Sequence, residues 1–205
     1  MLEFLKAGGP VMFLLALTSI VGLTFIIERG FGLRWRRVIP ADVEHAVEHC
    51  HSAKDAPLVI SACKMNPAPI SRLLLLGNEH LEWPKTENID SIETAARHEV
   101  IQLERGIVVL EIIIGIAPLM GLVGTLHGLI TLFASLGAVG ISDNAALAKG
   151  ISIALNTTLM GLIVAIPSLI AWSYYNKKVE TLAVEMEALC ERFLRSQYRE
   201  SKVAA

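Results

Sequence analysis

Three long stretches of this chain carry no charged side chain at neutral pH, and the segments between them alternate with the periods of surface helices. The uncharged stretches are Ala7–Ile27, Ile112–Ser142 (with His127 inside it) and Gly150–Asn176. About 20 apolar residues cross the ~30 Å hydrocarbon core of a bilayer. Each stretch therefore predicts a spanning helix, and the second and third are long enough to tilt or to project beyond the lipid. The expected class is an all-α membrane protein with three transmembrane helices, placed at about 7–27, 107–136 and 147–176. A turn over 137–146 joins the second to the third. Long helices 2 and 3 extend past the membrane on the side of the segments 28–106 and 177–202.

Those segments read as helices. Asp42–Ala53 forms a short one, Pro57, Pro67 and Pro69 punctuate the next stretch, and Ile70–Trp83 is amphipathic up to Pro84. From Asp90, a candidate N-cap, the pattern runs on without a break. It predicts one helix from about Ile92 to about Leu136. Beyond the third span Val179, Leu182, Met186, Leu189 and Phe193 recur every three or four residues. That stripe can pack on the chain's own helices or on another subunit.

Charge orients the spans. Of 18 Lys and Arg, 16 fall in 28–106 or 177–205, beginning with Arg29, Arg34, Arg36 and Arg37 just after the first span. The positive-inside rule puts these segments in the cytoplasm, with the N-terminus out and the C-terminus in. Only Lys6 precedes the first apolar run, against Glu3, so that run reads as a retained span and not as a cleaved signal.

Composition narrows the function. Over 205 residues the hydrophobic fraction is 53% and the charged fraction 19%, with a mean hydropathy of +0.54. A net charge of −2 excludes binding to nucleic acid through bulk basicity. Cys50, Cys63 and Cys190 are an odd number without paired spacing, so no disulfide framework is expected. The glycine-rich run Gly121–Gly128 lacks the Gly-Lys-Ser/Thr ending of a phosphate-binding loop. His45, His49, Cys50, His51 and Cys63 meet no zinc spacing. No enzyme, cofactor or metal is expected.

The spans themselves carry the informative residues. Ala117, Gly121, Gly124 and Gly128 form a small-residue stripe along the second, and Gly150, Ala154, Thr157 or Thr158, Gly161, Ala165 and Ser168 form one along the third. Such stripes let membrane helices approach closely, within one subunit or between subunits of a ring. Thr125 sits near the centre of span two, and Asn156, Thr157 and Thr158 about two turns into span three. Pro118 and Pro167 each remove a helix hydrogen bond and can kink their spans. Together these point to a polar path across the membrane. Glu111, at the inner end of span two, is a candidate acidic ring at a cytoplasmic mouth. His127, two residues from Thr125, projects from another side of its helix and is expected in a subunit contact. Neither span has an Asp or Glu deep in the membrane, and threonine does not titrate. A proton relay here needs a carboxylate from a second chain.

The run Ala117-Pro118-Leu119-Met120-Gly121-Leu122-Val123-Gly124-Thr125-Leu126 resembles the second-span signature of the ExbB/TolQ/MotA proton-channel (stator) family. Gly150-Ile151-Ser152-Ile153-Ala154-Leu155-Asn156-Thr157-Thr158, with Gly161-Leu162 and Ala165-Ile166-Pro167, resembles its third-span signature. Length and span number resemble the ExbB branch most. The resemblance implies a homopentamer in the bacterial inner membrane around a single-span partner of the ExbD/TolR type that carries the titrating aspartate. It implies ion flow converted to work on a TonB-like protein, with Thr125 and Thr158 at the positions of the pore-lining threonines. Ile153 stands where enterobacterial ExbB has a glutamate. The alternatives are a TolQ-like stator for envelope constriction and a non-conducting membrane scaffold.

Overall fold

The computed structural model describes residues 9–139 and 144–201, and every regular element among them is helical. In chain order these are α1 (Gly9–Gly32), α2 (Trp35–Val38), α3 (Ala41–Glu48), a 3-10 turn at Ala53–Asp55, α4 (Ala56–Met65), α5 (Pro69–Glu79), α6 (Lys85–Glu104), α7 (Ile107–Val139) and α8 (Asn144–Ser201). Three are long and apolar enough to cross a membrane, within Pro10–Gly32, Ile107–Ala134 and Gly150–Tyr198. The last range is 49 residues. At 1.5 Å per residue it measures ~74 Å, so only part of it lies in the hydrocarbon. The protein is an all-α membrane protein with three transmembrane helices.

The chain divides into two units. The first joins the residues up to Arg29 with Gly106–Tyr174. Its core is Leu15 of α1, Ile113 and Ala117 of α7, and Val164 and Ala165 of α8. The other faces of these helices expose large apolar side chains such as Phe13, Ile20, Leu119, Ile130, Leu155 and Ile170. In water such a surface would be untenable; against lipid it costs nothing.

The second unit joins Gly30–Arg105 with the residues from Tyr175 onward. The stripe on α8 settles into it: Val179, Leu182, Met186, Leu189 and Phe193 are all buried there, the last four in one core with α3, α4, α5 and α6. That stripe is the protein's own core. Local chemistry sets the short elements. The Ser52 hydroxyl accepts from Lys54 N at 3.1 Å, and Asp55 Oδ2 accepts from Ser52 N at 3.1 Å, which closes a capping box. Pro57 and Pro69 occupy first-turn positions where no donor is lost. Arg72 of α5 grips Glu99 of α6 with Nε–Oε1 and Nη2–Oε2 distances of 2.7 and 2.6 Å. Asn88 is fully buried, and the two protons of its Nδ2 are shared among Gly77 O (2.9 Å), His80 O (3.1 Å) and the Tyr198 hydroxyl (3.0 Å).

Several boundaries differ from the sequence pattern. The helix expected from Ile92 to Leu136 is two helices, α6 and α7, parted at Arg105 and Gly106. Glycine is among the poorest helix formers. A Cβ at Gly106 would also lie only 2.5 Å from Arg29 Nε, so the chain opens where that arginine packs. α6 starts at Lys85 behind Pro84, five residues before Asp90. α3 stops at Glu48 and α5 at Glu79, each short of its expected end. The turn expected over 137–146 begins later, since α7 runs to Val139; Gly140, Ser142 and Asp143 lie outside the described residues, as do Lys6 and Ala7.

Candidate functional site: a threonine pair between two spans

The site lies where α7 and α8 pass closest, and glycines make that approach possible. A Cβ on Gly161 would sit 2.6 Å from the Ala117 carbonyl oxygen. One on Gly121 would sit 3.0 Å from both Thr157 O and Thr158 Cα, and one on Gly124 2.8 Å from Thr157 Cβ. Gly128 faces Ala154 at 3.4 Å, and Gly150 sits under Leu132. The two small-residue stripes therefore pack on each other within one chain.

This seam brings Thr125 and Thr158 together. Their Oγ1 atoms hydrogen-bond each other. Thr125 Oγ1 also lies 3.1 Å from Gly121 O and 3.0 Å from Ala154 O, and Thr158 Oγ1 lies 3.4 Å from Gly121 O. Each hydroxyl has one proton and two lone pairs. With Thr158 donating to Thr125, and Thr125 donating to a carbonyl, both oxygens keep acceptor capacity. Both side chains are half-buried at the edge of the seam. The pair can thus accept from a protonated acid or, by rotating, donate to an ionised one.

The other candidates fall elsewhere. Thr157 is 1% exposed; it fills the space over Gly124 and donates to Ala154 O at 2.7 Å. Asn156, two residues before Thr158, is ~200° around the helix from it. Its Nδ2 lies 3.5 Å from Ser152 Oγ, so it belongs to another face of α8. Glu111, Pro118 and Thr125 recur at seven residues, which places them on one side of α7, and Glu111 is exposed. Fourteen residues at 1.5 Å each put Glu111 ~21 Å along the helix from Thr125. His127 is exposed on a different side. Pro118 and Pro167 sit inside α7 and α8, and neither helix is broken there. The backbone acceptors Gly121 O and Ala154 O were not among the sequence candidates. Small residues near a threonine are the signal for them, because they leave carbonyls within reach of the facing helix.

Against known proteins, the model of the MotA/TolQ/ExbB proton channel family matches residues 68–188, which include both span signatures. An ExbB-like biopolymer transport protein of Synechocystis sp. is 37% identical over 181 residues, covering 83% of this chain and 68% of that protein. An ExbB homologue of Methanothermobacter thermautotrophicus is 30% identical over 180 residues, and the match spans 87% of this chain but 64% of that protein's length. The biopolymer transport protein ExbB of Neisseria meningitidis is 27% identical over 202 residues, 90% of each chain.

Proposed function

The chain belongs to the MotA/TolQ/ExbB proton channel family, and on that premise we propose that it is the ring-forming subunit of an ion-driven motor that energises TonB-dependent transport across the outer membrane. The family is one of transport and channel proteins, not of enzymes. The chain is a multi-pass protein of the bacterial inner membrane. In the proposed assembly five copies surround an ExbD/TolR-like single-span partner, with the Arg-rich segments in the cytoplasm. The partner's membrane aspartate meets Thr125 and Thr158 of one subunit after another. Glu111 forms the cytoplasmic mouth of the ion path. Thr157, behind the pair, holds the seam, and Asn156 faces another surface of the same subunit.

One observation carries this reading: two threonines from different spans hydrogen-bond each other at the edge of an apolar seam, and residues 112–142 and 150–176 contain no acid. An ionised carboxylate alone in low dielectric is very costly, and two hydroxyls that keep acceptor capacity, and that can turn a proton from a carbonyl or from each other toward the acid, lower that cost in both protonation states. Protonation and release can then alternate as the partner steps. The rival reading, a packing pair in a non-conducting scaffold, rests on the carbonyls of Gly121 and Ala154, which already accept from these hydroxyls.

Thr158→Val keeps the side chain's shape and deletes the hydroxyl. The expected result is loss of energy-dependent uptake while the complex still assembles with its partner, and much the same for Thr125→Val. Normal uptake by both variants, with partner bound, would make the threonines packing residues only and remove the proposed path.

A further inference from the structure

We propose that Arg34, Arg36 and Arg37, together with Trp35, form a binding site for the phosphate of an anionic phospholipid headgroup. The chain leaves its first span here: α1 ends at Gly32, and its apolar run ends at Ile27. Between α1 and α3 the fold pins a short knuckle. Leu33, Val38 and Ile39 are buried, and α2 is closed by Arg37 N donating to Arg34 O (2.9 Å) and Ile39 N to Trp35 O (2.8 Å). The four residues between the buried ones, Arg34 to Arg37, are all exposed. The arginines are thus held outward by a fixed backbone, on a chain whose net charge is −2.

They stand together without a carboxylate partner, whereas Arg105, which also meets none among the described residues, stands alone. Arg29, Arg72, Arg97, Arg192 and Arg195 each meet a carboxylate. Arg34, Arg36 and Arg37 meet none among the described residues, although Asp42 and Glu44 follow closely in α3. Three unpaired guanidinium groups in four residues repel one another unless an anion sits among them.

The aromatic neighbours identify the anion. Trp35 is 36% exposed and Phe31, four residues earlier at the end of α1, 59%. Exposed aromatic rings at the end of a span mark the headgroup level, which is also the depth of the lipid phosphates. Guanidinium binds phosphate through two parallel hydrogen bonds, a geometry that lysine does not offer. An acidic protein surface would match the charge but would not call for the two rings.

The test uses the full chain purified in a neutral detergent, titrated with phosphatidylglycerol or phosphatidylcholine and read by native mass spectrometry. At about fivefold per basic residue near an anionic headgroup, the triple variant Arg34→Gln/Arg36→Gln/Arg37→Gln should weaken phosphatidylglycerol binding about a hundredfold. Binding of phosphatidylcholine should not change. The control Lys54→Gln/Lys64→Gln/Lys85→Gln removes the same charge elsewhere and should bind like the parent. If the triple variant does not fold, Arg36→Glu alone should weaken binding by fivefold or more. Three results would overturn the proposal. These are equal phosphatidylglycerol binding by the parent and the arginine variant, displacement of the lipid by millimolar inorganic phosphate, and a variant that keeps its lipid but loses its oligomer.

Discussion

Gly161→Ala should separate α8 from α7, and Gly115→Ala should not. Both replacements add one methyl group to a helical glycine, so the gain in helix propensity, about 1 kcal/mol, is common to the two. The surroundings differ. Around Gly115 nothing lies within 4 Å of the added carbon. At Gly161 the methyl would meet the Ala117 carbonyl at 2.6 Å and Gly121 Cα at 3.2 Å, both backbone. Ordinary contact begins at 3.4 Å, so the helices must part by several tenths of an ångström. Overpacking of this kind costs about 1–3 kcal/mol. For a chain of this size that corresponds to a difference of roughly 2–12 °C between the two variants. The same displacement loosens the bonds of Thr125 to Ala154 O and Thr158, one turn away. Thermal unfolding in detergent, followed by size exclusion, measures the first effect; uptake measures the second. Gly128→Ala, with only an ordinary contact to Ala154, should behave like Gly115→Ala. If Gly161→Ala and Gly115→Ala melt within 1 °C of each other, the seam is softer than its geometry says and the reasoning fails.

Asn88→Ala should lower stability by about 2–3 kcal/mol, because it strips a donor from the buried Gly77 carbonyl, the half-buried His80 carbonyl and the Tyr198 hydroxyl; a melting temperature checks it. Burial pushes the Cys63 thiol up to about 11 from its ordinary 9.0, against a smaller opposite effect of the Ser71 hydroxyl. The thiol should therefore resist a water-soluble maleimide at pH 7.5 until the protein is unfolded. Since the unfolded chain loses that proton first, its contribution to stability is complete below pH 9 and lost as pH rises toward 11, which alkaline melting curves would register. Glu111→Gln should slow energised uptake several-fold without changing assembly, and unchanged uptake would remove Glu111 from the ion path.

The spans were legible because charge-free apolar runs of 20 or more residues are rarely found outside a membrane. The threonine pair was legible for a narrower reason: Thr158 lies in the small-residue stripe of one span, Thr125 stands beside Gly124 in the stripe of the other, and stripes on antiparallel helices meet. The sequence also grouped Asn156 with the pair, and the helix turns it to another face. It is adjacent to the threonines along the chain but ~200° from Thr158 around the helix. The break at Gly106 was hidden because its cause, Arg29, lies 77 residues away. Asn88 drew no notice for the same reason. Its partners Gly77, His80 and Tyr198 become neighbours only after α5, α6 and α8 have packed. The stripe on α8 was readable as a buried surface, but periodicity has no means of saying whose helix buries it.

The glycines of the two span signatures answer a question about assembly as well. Gly121, Gly124 and Gly161 each have backbone or side-chain atoms of the facing helix within about 3 Å of where a Cβ would be. A surface so occupied is unavailable to another subunit. What the signatures encode is then the separation of two hydroxyls: remove the glycines and Thr125 and Thr158 no longer reach each other. In the proposed ring, contacts with other chains would fall instead to the large side chains left exposed on the same helices, such as Leu122, Leu126 and Phe133 on α7 and Leu155 and Leu162 on α8. Lipid and protein compete for those side chains on nearly equal terms, since neither burial removes them from water. Association of the proposed subunits would then draw on shape and on the few polar groups at the seam's edge, which is where the threonine pair stands.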